Sequence, residues 1–447
     1  MRSIHNVKFT NLTLALLLFA PFAWWVGDSY FLVNSETTIS FLGDDGWCNS
    51  ETEGVGVHCF GDYQYPKMLA DKLSPWEAGS ENPHNGLGLL FFRFFSLFER
   101  IFELFFGANQ SSRIVLVAYS LLSVTAVSIP AIWASRKENF ETKLKYLLIV
   151  GPISTPALVA IDRGNAIAFC VPLILWFLIS VERDQKRFCV SAVVILAALK
   201  PQFFVLIILL LIFKWWRHAI WCFMFVGISQ FVAYLFWPTA FPESILESVR
   251  GLKNFSEYQN LSSDLWLNIG FAKGMYSVVH QLQFDSFVSV TFNVQLETIH
   301  GAIQTLTGPL IFIIGLICLI RLRDKISNIL IAIIFLPLIF LFSGTAFGYY
   351  SVFAIPIGAL VLRSPDNSLV IPRLHWLDGE SEYFRVFLLI SLALTLFWLP
   401  LPVIIGEVQG ENLVLTTAVL IPLCWLLTIW IFAMRIAQHE PELEVTN

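Results

Sequence analysis

Apolar segments of near-membrane length, separated by short and mostly basic connections, constrain this chain more than any other feature. Twelve can be marked, at 12–27, 113–134, 146–161, 165–181, 188–199, 202–213, 219–240, 301–320, 326–342, 350–362, 386–402 and 412–434. A helix needs ~20 residues to cross the hydrocarbon core, and most of these runs approach that length. Their interiors carry no Asp, Glu, Lys or Arg. Backbone groups surrounded by lipid must be paired within their own segment, so such runs fold as helices. The expectation is an all-α, polytopic integral membrane protein of about 12 transmembrane helices, with 1–447 as a single transmembrane domain. Charged residues make up only 14% of the chain, against ~25% in soluble domains. A net charge of −5 points away from a nucleic-acid partner. The first run ends in Trp24-Trp25 with no small-residue cleavage site, so it reads as a span and not a signal peptide.

Two runs are short. Segments 188–199 and 202–213 each cover only ~18 Å as helix, either as a tilted pair or as one helix broken at Lys200-Pro201.

The side on which each loop lies follows from Lys and Arg. Arg2, Lys8, Arg136, Lys137, Lys143, Lys145, Arg183, Lys186, Arg187, Lys214, Arg217, Arg321, Arg323, Lys325, Arg363, Arg373, Arg385 and Arg435 fall in one set of short connections. The positive-inside rule assigns that set and both termini to the cytoplasm, with 435–447 as a cytoplasmic tail. The expected location is the cell (plasma) membrane. This alternation holds only if 188–213 crosses twice or re-enters. Chemistry is then expected on the opposite, extracytoplasmic face, in loop 28–112, loop 241–300 and the corners near Asp162, Lys200, Ser343 and Glu407. The missing midplane charge argues against an ion-coupled transporter.

Within the first loop, Gly86 to Phe106 reads GLGLLFFRFFSLFERIFELFF. Arg93, Ser96, Glu99, Arg100 and Glu103 recur every three or four residues, which predicts an interfacial helix with one polar face. Among the acids of this loop, Asp62 in Gly61-Asp62-Tyr63-Gln64-Tyr65-Pro66 is the first candidate for a catalytic carboxylate. Asp45 is its rival, and the Asp44-Asp45 pair is alternatively a divalent-cation ligand. Otherwise no metal or cofactor is indicated. Cys48 and Cys59, with ten residues between them in a polar loop, form a candidate disulfide if that face is oxidising.

The corner Asp162-Arg163-Gly164-Asn165 has two compatible readings. Asp162 or Asn165 can cap the following helix, and Arg163 offers a planar fork suited to phosphate. Lys200-Pro201-Gln202 sets a cation between two apolar runs, where it either meets an anion or snorkels to the interface. Tyr349-Tyr350 can stack on a sugar or belong to an aromatic belt. Loop 241–300, with Asn254, Tyr258, Asn260, Ser262, Asp264 and Trp266, has a sugar-binding composition but no sharp signature.

These residues resemble the GT-C membrane glycosyltransferases, and most closely glycosyltransferase family 87. The strongest stretch is Asp162 to Arg217, where DRGNAIAF precedes LAALKPQFFVLIILLLIFKWWR. Tyr349-Tyr350 is similar to a late Tyr-bearing corner, and Asn260 and Ser262 to an Asn/Ser segment. Asp62-Tyr63-Gln64-Tyr65 matches the family's D-x-x-Y spacing, with Asn82-Pro83 following. Asn85-Gly86-Leu87 departs from the usual Tyr-Pro-Pro-like segment, which keeps Asp45 in play.

The resemblance implies an inverting enzyme that uses a polyprenyl-phosphate-linked sugar, of mannose or arabinofuranose type. The acceptor would be a cell-envelope glycan or glycolipid on the extracytoplasmic face. Asp62 would be the general base and Arg163 and Lys200 the donor-phosphate ligands. Asn165, Gln202, Tyr65, Asn260, Tyr349 and Tyr350 would contact substrate. The alternatives are a lipid-linked-sugar flippase and a non-catalytic scaffold of envelope assembly.

Overall fold

The computed structural model describes residues 60–76, 84–238, 241–261, 270–272, 275, 279, 284–292, 296–342, 346–363, 382–397, 403–408, 411–415 and 417–438. The first span, Asp45, Cys48 and Cys59 lie outside these residues. Helices dominate: α1 Gly61–Asp71, α2 Gly86–Phe106, α3 Ala108–Ser135, α4 Phe140–Val150, α5 Thr155–Asp162, α6 Cys170–Glu182, α7 Lys186–Leu199, α8 Leu206–Ile212 and α9 Trp216–Tyr234. They continue with α10 Glu243–Leu261, α11 Phe284–Phe292, α12 Leu296–Leu322, α13 Asn328–Leu341, α14 Ala354–Leu362, α15 Glu382–Leu396 and α16 Thr417–Gln438.

One β-hairpin interrupts the pattern. Strands β1 Val403–Val408 and β2 Glu411–Leu415 pair antiparallel, so β2 takes the start of the segment expected to be helical from 412. Its β-branched runs flank Gln409-Gly410, a turn signal that hydropathy alone passes over.

Length and composition bear on the membrane question. Among the described residues, α3 alone is a single helix long and apolar enough to cross a membrane. Helices α4 and α5 qualify as a pair, but they meet at 66°. The expected continuous run 146–161 is therefore broken, at Gly151-Pro152, where no helix can keep its hydrogen-bond ladder. The other apolar helices are shorter, including Ala166–Glu182 with its 3-10 start and Asn328–Leu341.

The core forms where apolar residues occupy every face of a helix. In α13 all of Ile329 to Leu341 is buried, which marks it as the central helix of the bundle. A second aromatic cluster joins the loop helices to it through Tyr63, Trp76, Phe92, Tyr119 and Trp237.

The stretch 186–215 runs out and back. Helix α7 ends at Lys200 in extended backbone (φ −141°, ψ 113°), because Pro201 denies the preceding residue helical geometry. A 3-10 turn, Pro201–Val205, then leads into α8. Lys186 Nζ finally stands 5.4 Å from the centre of the Trp215 ring, so the chain returns to the level at which it set out. The basic connections gather at that end. Lys214 pairs with Asp324 at 2.7 Å, and the Arg363 guanidinium covers the Trp133 ring at 4.6 Å.

Helix α2 forms over the expected residues, with its polar stripe packed against α1. Its Asn85 cap accepts a hydrogen bond from the Gly88 N–H at 2.6 Å. Its polar side chains do not all face solvent. Ser96 is buried and donates to Asp71 at 2.6 Å, Arg100 reaches the same carboxylate at 3.1 Å, and Lys67 pairs with Glu99. Polar residues here dock α1, while Phe94, Leu97, Phe98, Ile101, Leu104 and Phe105 are the exposed face.

Candidate functional site

Asp62 lies in the first turn of α1, a helix that the sequence hardly advertises. It contains Pro66 and has low mean hydropathy, and it forms because Tyr63, Pro66, Leu69 and Ala70 bury against their neighbours. The chain enters it through Phe60 in the left-handed region (φ 47°), which aims Asp62 at the corner after α5.

That corner receives it. The Asp62 backbone N–H donates to the Arg163 carbonyl at 3.0 Å. Arg163 Nε donates to Asp62 Oδ2 at 2.9 Å, and its Nη2 to Oδ1 at 3.3 Å. Asn165 Nδ2 adds a third donor to Oδ2 at 2.8 Å. Gly164 makes the turn possible. Its φ is +65°, and a Cβ there would stand 2.8 Å from the Tyr63 Cβ. Only glycine adopts that conformation with so close a neighbour. The buried Tyr119 hydroxyl fastens the turn from below, donating to the Gly164 carbonyl at 2.8 Å.

Asn165 also caps, since its Oδ1 accepts from the Ile167 N–H at 3.0 Å and opens the 3-10 turn Ala166–Phe169. The cap is therefore Asn165 and not Asp162, which closes α5.

Burial acts on the Asp62 carboxyl most strongly and raises its pKa. The Arg163 charge, the hydrogen bonds from Arg163 and Asn165, and the more distant Lys200 charge together outweigh it. The net result lies below the usual carboxylate value, so Asp62 is an anion. Oδ2 already accepts two hydrogen bonds and Oδ1 one long one, which leaves Oδ1 with room for a further donor.

Lys200 is half-buried, and among the described residues it makes no ion pair. Burial lowers its pKa, opposed by the charge of Asp62. Gln202 Nε2 donates to the Tyr350 hydroxyl at 2.8 Å, while its buried Oε1 accepts from no described residue. Tyr349 lies 4.8 Å from Tyr350, ring to ring, and 5.9 Å beneath the Arg163 guanidinium. Among the described residues, the charged cluster thus brings Arg163 and Lys200 to the Asp62 carboxylate.

His84, which sequence reading passed over, lies within electrostatic reach of both Lys200 and Asp62. Burial above all, and then Lys200, pushes its pKa down to about 3, so it is neutral. His84, Asn85 and Pro201 also form one wall of an apolar cleft of about 290 Å³, whose far side is Phe223, Val226 and Tyr234.

Asp62, Arg163, Asn165, Lys200, Gln202, Tyr349 and Tyr350 therefore come together. Tyr65 is 47% exposed, on the outer surface of α1. The side chain of Asn260, on α10, lies outside the described residues, as does Asp45. Chemically, the cluster offers an ionised carboxylate with an accepting position, a lysine without an acid partner among the described residues, and amide and phenol groups for hydroxyls. No family model, curated protein or solved structure matches this chain.

Proposed function

We propose that this chain is a polytopic membrane glycosyltransferase that moves a sugar from a polyprenyl-phosphate donor to an envelope glycan or glycolipid, on the extracytoplasmic face. The observation that carries the reading is the half-buried Lys200, within electrostatic reach of the Asp62–Arg163 pair and next in sequence to Pro201 in the wall of an apolar cleft. A lysine without an acid partner among the described residues, one position from the wall of an apolar groove, suits a phosphate on a lipid tail.

Bound there, the donor phosphate faces Lys200 and the Arg163 charge, which stabilise the negative charge that grows on it as the glycosidic bond breaks. Asp62 Oδ1 accepts the proton of the acceptor hydroxyl as that oxygen attacks the anomeric carbon. A single displacement inverts the configuration. Asn165 holds the carboxylate in place, and Gln202, Tyr349 and Tyr350 present polar and stacking groups to the sugar. Neutral His84 adds no charge to the donor side.

The test is product formation by the purified full chain in detergent, with a panel of radiolabelled polyprenyl-phosphate sugars and mass analysis of the product. Transfer from one of these donors is expected. Movement of an intact lipid-linked sugar across a vesicle membrane without transfer would replace this reading by a flippase.

A further inference from the structure

A larger cavity opens along the out-and-back stretch, its basic end at the level where that stretch begins and returns. It measures about 730 Å³ and runs between α7 and α9, within the range of ordinary ligand pockets. Its two walls have the same design. On α9, Arg217, Trp221 and Phe225 follow one another at steps of four residues and so share one face, rising ~12 Å from guanidinium to the last ring. On α7, Arg187 stands in the first turn and Val194 two turns above it. His218 completes the basic end.

The charges of that end are unusual. Lys186 has Asp184 at 3.5 Å and Lys214 has Asp324 at 2.7 Å. Arg187 and Arg217, by contrast, have no acid partner among the described residues. Both also sit in the first turn of a helix, where the backbone dipole is itself positive and disfavours a cation. Two exposed guanidinium groups, one from each helix, line the same cavity there beneath an apolar wall. An anion would relieve both repulsions, and an apolar chain would cover the valine and aromatic surface above it. A basic pocket between membrane helices has the form of an anionic-headgroup site.

We propose that this cavity holds one anionic glycerophospholipid, its phosphate between Arg187 and Arg217 and an acyl chain along Val194, Trp221 and Phe225. The inference rests on the membrane-embedded reading above, though not on glycosyl transfer.

Native mass spectrometry of the full chain in detergent tests it, with phosphatidylglycerol and phosphatidylcholine as the lipids and inorganic phosphate as competitor. Phosphatidylglycerol should be held roughly tenfold more tightly than the zwitterionic lipid. The preference should vanish in the Arg187→Gln, Arg217→Gln double variant and survive Arg187→Lys with Arg217→Lys. Val194→Trp, which fills the groove and keeps both charges, should lose the lipid as well. Equal retention of the two lipids, or a preference that persists in the glutamine and tryptophan variants, would overturn the proposal. Displacement of the lipid by millimolar phosphate alone would overturn it in favour of a free-anion site. An alkaline wash of the membranes separates the two readings. A chain that stays in the pellet without lipid preference defeats the cavity alone, whereas release into the supernatant defeats both.

Discussion

Asp62 and Arg163 are joined in both directions: the backbone N–H of the first donates to the carbonyl of the second at 3.0 Å, and the Nε of the second donates to the carboxylate of the first at 2.9 Å. The backbone bond fixes the position of the carboxylate independently of the ion pair. Removing the charge should therefore leave the carboxylate in place but alter what it does.

Arg163→Gln exposes that distinction. In the intact protein the Asp62 carboxyl titrates below the usual ~4, so the pair contributes stability at and above that pH, and this is lost only as pH falls through the depressed value. Transfer should show no acid limb from Asp62 between pH 5 and 8. Without the arginine, burial becomes the dominant influence and raises the pKa above its ordinary value. An acid limb should then enter the pH–rate profile, and the folded state should lose about 3 kcal/mol near neutral pH. The profile of kcat/KM, with a thermal-unfolding series, checks both.

Asp62→Asn removes the proton acceptor while preserving shape. Turnover should fall by a factor on the order of 10² to 10⁴, with donor retention unchanged because Lys200 remains. Near-normal turnover in a radiolabelled transfer assay would sink the assignment of Asp62 as the base and return attention to Asp45.

Gly164→Ala should damage the site through the backbone. Its φ of +65° costs an L residue ~1–2 kcal/mol, and the added Cβ would meet the Tyr63 Cβ at 2.8 Å. Relief of that contact pushes α1 away from the corner and carries Asp62 with it. We expect a loss of about 2–4 kcal/mol and of most activity, measured by thermal unfolding in detergent and by transfer.

Tyr119→Phe deletes one buried hydroxyl and nothing else. The Gly164 carbonyl loses its donor, which should cost about 1–2 kcal/mol and lower activity only modestly. A thermal shift as small as that of an exposed substitution would show that another donor replaces it.

The corner residues were legible in the sequence because each is a polar exception between apolar runs: Arg163, Asn165, Lys200, Gln202 and the Tyr349-Tyr350 pair. Asp62 was legible by its setting. What the sequence concealed is of another kind. Tyr119 sits within an apolar run and bonds a backbone carbonyl, and a backbone acceptor leaves no residue pattern. Helix α1 has neither periodicity nor strong propensity, since it exists by packing. The docking of Asp71 onto Ser96 and Arg100 is likewise a pairing between elements, which the polar stripe of α2 does not disclose by itself. The hairpin at 403–415 is hidden by an apolar composition that reads as helix in lipid.

The Asp62–Arg163 bond also sets an order of events during synthesis. The partners are 101 residues apart in the chain, and Tyr349 and Tyr350 come later still. At ~5–20 residues per second, Asp62 emerges about 5–20 s before the cation that holds it, and the phenols follow after a longer wait. No amino-terminal fragment can acquire the finished cluster. A truncated chain released early by the ribosome would carry the carboxylate without the groups that position it.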